Sequence, residues 1–248
     1  MLGETKEHRE YKGASVTQAA WIRSLMASFV KQWEGTGTRI GELFGASASN
    51  DTPELPWNRA MQAAVLIFSG NSFKERIKRS SAKCIEQLRD AHELGLLDLD
   101  DPAFFGEYSL ISSDQGIRGW LFLLNDLCFV AAADLKLAEW TWDDVASSKQ
   151  GKLAAATDEE FVAKAIKSFS KTPAAEFIHA ISEALSSYDW RSSSTPGLTE
   201  SERLHQGVFR GSSGYREMRR LLLQHVIEQG GGLGKCASVV AKALGLDS

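Results

Sequence analysis

The stretch SSDQGIRGWLFLLND, residues 112–126, decides the fold class, because a polar opening gives way to apolar side chains around a whole helical period. Followed to Leu137, it sets Ile117, Trp120, Leu121, Leu124, Leu127, Cys128, Ala131 and Leu135 at spacings of three and four. This predicts a central helix over 115–137, apolar almost all round between Trp120 and Ala133, which must be enclosed by other helices. Asn125 and Asp126 interrupt that surface and need partners if buried, and Arg118 is the nearest candidate in the sequence.

Helix signals recur on both sides of this segment. Val16, Ala19, Ala20, Ile22, Leu25, Met26, Phe29, Val30 and Trp33 form one amphipathic helix that stops at Gly35. The next stretch, GTGTRIGELFGASASND, reads as a loop around about one helical turn. A cap at Thr52 followed by Pro53 opens a second helix that ends at Gly70. A capping box of Ser72 with Glu75 opens a third, which carries Lys74, Arg76, Lys78, Arg79 and Lys83 on its outer faces. Thr141 with Asp144, Thr157 with Glu160, Thr172 with Pro173, and Thr199 with Glu202 repeat helix-start spacings. Helices over 213–229 and 233–244 close the chain.

No segment alternates apolar and polar residues between turn signals, so the fold is read as all-α, a multi-helix bundle of about nine to eleven helices. A helical body spans 1–190, and RSSSTPGLTES at 191–201 is a candidate linker or surface loop. Residues 202–248 then form a C-terminal helical unit, either separate or part of the same domain.

The totals set outer limits. With 248 residues, 43% of them apolar, the chain can bury a large core. A net charge of −4, from 28 basic against 32 acidic residues, argues against a uniformly basic coat, so any phosphate contact must be local. Cys84, Cys128 and Cys236 lack metal-ligand spacing and read as reduced core thiols. No apolar run reaches the ~18 residues of a membrane span, and the N-terminus is polar, so a cytoplasmic protein without membrane contact is expected.

Two glycine-led helix starts are the candidate sites. In the first, Asp114, Gln115, Gly116 and Arg118, with Asn125 and Asp126 beyond them, could bind an anion or ligand: a helix start exposes unpaired amides, and arginine offers a bidentate fork. The competing reading is structural, with Ser113 or Asp114 as the cap and Arg118 paired to Asp126 or Glu107. In the second, Arg210, Gly211, Ser212 and Ser213 lead into a helix bearing Arg216, Arg219 and Arg220, an arrangement suited to phosphate. It lacks the Lys-Ser/Thr ending of a P-loop. The basic run Arg76, Lys78, Arg79 and Lys83 would assist it.

Other chemistry is poorly represented. His8, His92, His179, His205 and His225 are scattered, no nucleophile elbow occurs, and paired acids such as Glu159 with Glu160 sit in first helical turns. Neither a catalytic residue, a metal site nor a cofactor is expected from these patterns, though an enzyme of unfamiliar design stays open. The final IEQGGGLGKCASVVAKALGLDS resembles only half of a helix-turn-helix, so packing is the better reading there.

The order SVTQAAWIRSLMASFV, a basic helix, SLISSDQGIRGWLFLLNDL and RGSSGYREMRRLLLQHV resembles the helical portion of DGQHR-domain proteins, the group that includes a regulator of bacterial DNA phosphorothioation. The Asp-Gly-Gln-His-Arg loop itself is absent, so its residues transfer to no position here. The resemblance implies a helical part of a nucleic-acid-related, defence-associated system.

Together these readings lead to a non-enzymatic helical protein that contacts DNA or RNA, or a nucleic-acid-processing complex, through the arginine patch. Two alternatives stand beside it. One is a protein–protein scaffold anchored by exposed tryptophans and arginines, prompted by seven tryptophans. The other is a ligand binder or enzyme with a pocket near Arg118.

Overall fold

The computed structural model describes residues 18–30, 40–44, 55, 57–91, 101–142, 159–209 and 214–246. Among these the architecture is all-α: ten α-helices and no strand. In chain order they are α1 Gln18–Leu25, α2 Arg59–Arg79, α3 Lys83–Asp90, α4 Pro102–Phe105, α5 Asp114–Val130, α6 Glu159–Phe169, α7 Pro173–Leu185, α8 Glu200–Gly207, α9 Gly214–Gln229 and α10 Gly231–Ala243. None of them is long and apolar enough to cross a membrane.

The apolar segment that opens the sequence reading is the centre of the molecule. The Ser113 hydroxyl accepts the Gly116 N–H at 3.0 Å and starts α5, and every residue from Gly119 to Cys128 is buried. Helices α1, α7, α9 and α10 all pack on it. α5 ends at Val130, however, and not at Leu137. Lys136 takes a left-handed φ of 53°, while its N–H reaches the Ala133 carbonyl and the Leu137 N–H reaches that of Ala132. This bond pair terminates helices. Leu135, Leu137 and Trp140 remain buried after it, so the apolar period outlasts the helix that it suggested.

On its N-terminal side, α1 continues through a π-helical turn, Met26–Val30. Ala20, Ser24, Ala27 and Ser28 are buried small residues, which let its backbone come close to α5. Trp21 meets Trp120 edge-on with ring centroids 6.3 Å apart. Residues 40–44 are not the expected helical turn but a non-helical segment inserted beside α1 and α5. The proposed cap at Thr52 lies outside the described residues, and Asn58 caps α2 instead, accepting the Met61 N–H at 3.0 Å.

The helices expected to end at Gly70 and to begin at Ser72 are one continuous α2. No Ser72–Glu75 capping box forms, because Ser72 faces inward and bonds His179 Nδ1 at 2.7 Å. A glycine within a helix costs about 0.5–1 kcal/mol relative to alanine, which makes Gly70 a local stop signal. Tertiary contacts override it: Phe68, Ser69, Ser72 and Phe73 are buried on both sides of Gly70. A Cβ at Gly70 meets nothing within 4 Å. Gly70→Ala is therefore expected to stabilise the fold by about 0.5–1 kcal/mol, read as a higher denaturation midpoint at unchanged m-value.

The true break comes at Ser80–Ala82, between α2 and α3. Arg89 holds it together, donating to the carbonyls of Ile77 at 2.7 Å and Ser80 at 2.8 Å while pairing with Asp101 at 2.9 Å. The guanidinium thereby satisfies carbonyls that the end of α2 leaves without helical partners.

Residues 191–199 form a packed loop, and the expected linker's last two residues begin α8. Leu110 N–H donates to Trp190 O and Ser192 N–H to Tyr108 O, both at 2.7 Å, and Thr195 is fully buried. Arg191 joins Asp189 at 2.7 Å, Glu202 at 2.9 Å and Gln87 at 2.6 Å. The capping box of Thr199 with Glu202 does form and starts α8. The Thr199 amide and hydroxyl, followed by Arg191, hold the Glu202 carboxyl down to about 2. Met218, Leu222 and Val226 of α9 and Ala237 and Val240 of α10 join the same core cluster as α5.

The tryptophan-anchored surface does not materialise among the described residues. Trp57, Trp120, Trp140 and Trp190 are buried, and Trp21 and Trp142 are half-buried. They interlock with phenylalanines instead: Trp57 meets Trp140, Trp140 meets Phe169, and Phe73 touches both Trp120 and Trp190. Cys84, Cys128 and Cys236 are all free thiols, and burial pushes the Cys84 and Cys128 thiols up and that of Cys236 to about 11.

Candidate nucleic-acid interface

The structure brings the two glycine-led helix starts together. Gln115 lies against Gly214, Gly119 against Met218, Phe122 against Tyr215 and Arg219, and Asp126 against Arg219. These pairings rise in step along both helices, so α5 and α9 run parallel with their N-terminal ends side by side. Two positive dipole ends therefore share one edge of the molecule.

Glycines make this closeness possible. A Cβ on Gly119 would overlap Met218 Cγ, and one on Gly214 would overlap the Phe209 carbonyl oxygen. The space over Gly116 is filled by the Leu110 carbonyl, so that glycine admits the chain's own backbone and not a ligand.

Arg210, Gly211, Ser212 and Ser213 lie outside the described residues. Gln115 packs against the start of α9, and Asp114 is exposed and pairs with Arg118 at 3.7 Å. The Arg118 guanidinium lies 4.8 Å from the centre of the Tyr215 ring, and that of the exposed Arg216 lies 5.9 Å from it. Tyr215 also stacks on Phe122 at 6.1 Å. The result is a half-buried tyrosine with two arginines around it, at the shared helix starts.

Asp126 does not pair with Arg118 as expected; its partner is Arg219, whose Nε donates to Asp126 Oδ2 at 2.7 Å. Asp126 is 0% and Arg219 8% exposed, so this arginine belongs to the interior and not to a surface patch. Burial pushes the Asp126 carboxyl up to about 6, against the pull of Arg219 and the Asn125 amide. The guanidinium also lies over Phe122, 4.9 Å from its centroid. Periodicity carries the signal for this: Arg219 falls on the stripe of Tyr215, Leu222 and Val226, so its place inside is readable from spacing.

Asn125 is equally enclosed and turns the other way. Its Oδ1 accepts the Leu43 N–H at 3.0 Å, and its Nδ2 donates to the Gly41 carbonyl at 2.7 Å. Arg220 is tied to Glu217 at 2.6 Å and lowers that carboxyl. In the basic run, Arg76 pairs with Glu183 at 2.8 Å and Arg79 with Glu75 at 3.6 Å, while Lys78 and Lys83 are exposed. These four sit on α2 and α3 and not on α5 or α9.

Sequence reasoning missed the two arginine junctions, Arg89 with Asp101 and Arg191 with Asp189 and Glu202. Both join residues through loop geometry that no local spacing encodes. A cleft of about 280 Å³ opens beside the start of α7, lined by Leu135, Lys136, Trp140, Lys171, Thr172 and Pro173. Its walls do not include Arg118. His179 and His225 bond Ser72 and the Ala184 carbonyl, and both act as packing residues.

No family model, curated protein or solved structure matches this chain. The DGQHR resemblance accordingly assigns no role to any of these residues.

Proposed function

We propose that this helical protein is non-enzymatic and contacts nucleic acid, or a complex that processes it, through the edge where α5 and α9 begin. The observation that carries the reading is the parallel pairing of two helix N-termini with Arg118 and Arg216 around Tyr215. Helix starts and arginines grip phosphate, and an aromatic ring flanked by them suits a stacked base. In sequence, Arg210–Ser213 immediately precedes α9 and contains one more arginine and two hydroxyls. Lys78 and Lys83 supply a further, weaker contact. Participation in a defence complex of the kind the DGQHR resemblance suggests would use the same edge.

Binding of duplex and single-stranded DNA and RNA, followed by fluorescence anisotropy over a salt series, tests this. Each phosphate contact contributes about −0.9 to the slope of log affinity against log salt on duplex DNA, or about −0.7 on single strands. The double variant Arg118→Gln/Arg216→Gln is expected to bind more weakly and to lose about 1 to 2 from the slope's magnitude. Absent or salt-independent binding by the parent protein rejects the reading.

A second reading, a protein-binding scaffold, is favoured by one observation. Leu204 and Val208, one turn apart on and just after α8, are 71% and 46% exposed. If that face binds a partner, Leu204→Glu abolishes its capture, whereas an unchanged partner profile removes the reading.

A further inference from the structure

Residues Ile40–Phe44 lie against the core in the manner of a bound peptide, with Leu43 buried and the others half-buried. Asn125, fully buried on α5, grips the segment's backbone at two points, taking the Leu43 N–H at 3.0 Å and giving an N–H to the Gly41 carbonyl at 2.7 Å. The Phe44 N–H reaches the Phe29 carbonyl at 2.9 Å. Leu43 is 3% exposed, and the Phe44 ring stacks on Phe29 at 5.0 Å and tilts against Trp57 at 6.0 Å. At Gly41 the φ is 155° and a Cβ would run into the Phe129 ring, so the position is built for glycine. Recognition thus combines three hydrogen bonds to the segment's main chain, one glycine and two apolar side chains. The sequence on either side, EGTGTR before and GASASND after, is dominated by Gly, Ser, Thr and Ala.

We propose that this groove is a docking site for the same segment of a second copy of the chain, so that Ile40–Phe44 can be exchanged between two protomers. The exchanged segment makes every contact that it makes at home, so exchange costs few interactions, as in other domain swaps. What keeps the protein monomeric when dilute is tethering, which gives the internal segment an effective concentration on the order of millimolar. A protomer whose own segment is disabled loses that competitor and should accept the segment of another.

Two complementary variants test the exchange. Gly41→Val spoils the segment and leaves the groove; Asn125→Ala spoils the groove and leaves the segment. Each alone, checked as folded by circular dichroism, is expected to be monomeric by light scattering, and a 1:1 mixture is expected to form the heterodimer. A labelled synthetic peptide of residues 38–46 should bind Gly41→Val about tenfold or more tighter than Asn125→Ala, since two buried hydrogen bonds are at stake. If Gly41→Val does not fold, Phe44→Ala takes its place, because it removes the ring stacking without backbone strain. Folded variants that stay monomeric when mixed overturn the proposal, and so does peptide binding without a heterodimer. Neither outcome bears on the nucleic-acid reading, which concerns a different edge.

Discussion

Asp126→Asn is expected to lower the unfolding free energy by about 1–3 kcal/mol, because the amide offers one acceptor oxygen where the carboxyl offers two and so leaves an Arg219 N–H donor buried without a partner. Arg219→Ala should fall at the lower end of that range, since a stranded carboxyl can take up a proton and become neutral. The double variant Asp126→Leu/Arg219→Met should recover most of the loss, as apolar side chains of similar volume often replace a buried pair without penalty. Urea denaturation read as a double-mutant cycle measures this coupling. Near-additive losses, or an Arg219→Ala variant as stable as the parent, would show that the pair does not hold α5 to α9.

The same pair gives a pH signature. Asp126 is raised from 3.8 to about 6 in the fold, so the folded state holds this proton more tightly than the unfolded chain. Its stabilising contribution is complete below 3.8 and is lost as pH rises through about 6. The stability gap between the parent and Asp126→Asn should therefore widen as pH falls through that window and stay flat above it. A gap that narrows on acidification would put the carboxyl's shift in the opposite direction.

Gly116→Ala is the second large effect. Its Cβ would occupy the position of the Leu110 carbonyl oxygen, and that carbonyl also accepts from Ser113, whose hydroxyl caps α5. Backbone cannot move aside as a flexible side chain can, so a loss of about 3 kcal/mol or more is expected, combining overpacking with a damaged cap. Gly119→Ala should cost less, because the overlap is with Met218, whose side chain can partly repack. Thermal unfolding of these two variants beside Gly70→Ala ranks three helical glycines, two destabilising and one stabilising when replaced. A neutral Gly116→Ala would contradict the close approach at the start of α5.

Much of the fold could be read from spacing. The buried stripe of α5, the Thr172 and Thr199 starts and the absence of strands among the described residues all follow from local pattern, because each is decided by residues within a few turns. Boundaries were lost where tertiary packing outweighed a local signal: α2 runs through Gly70, and the apolar period survives the end of α5 at Val130. In the candidate site, residue types were legible but partners were not. Arg118 and Arg219 are both close in composition terms to Asp126, and only the parallel register of α5 and α9 assigns Arg219 to it. That register depends on contacts more than ninety residues apart, such as Asp126 with Arg219, which no sequence window contains.

Of the three arginines of α9, Arg216 faces outward, Arg220 is tied to Glu217 and Arg219 holds the core. The most direct test is nucleic-acid affinity over a salt series for the parent, Arg216→Gln and the double variant Asp126→Leu/Arg219→Met. The account predicts a slope smaller in magnitude by about 0.7 to 0.9 for Arg216→Gln and an unchanged slope for the core double variant. No salt-dependent binding by the parent, or an equal loss in both variants, would contradict it.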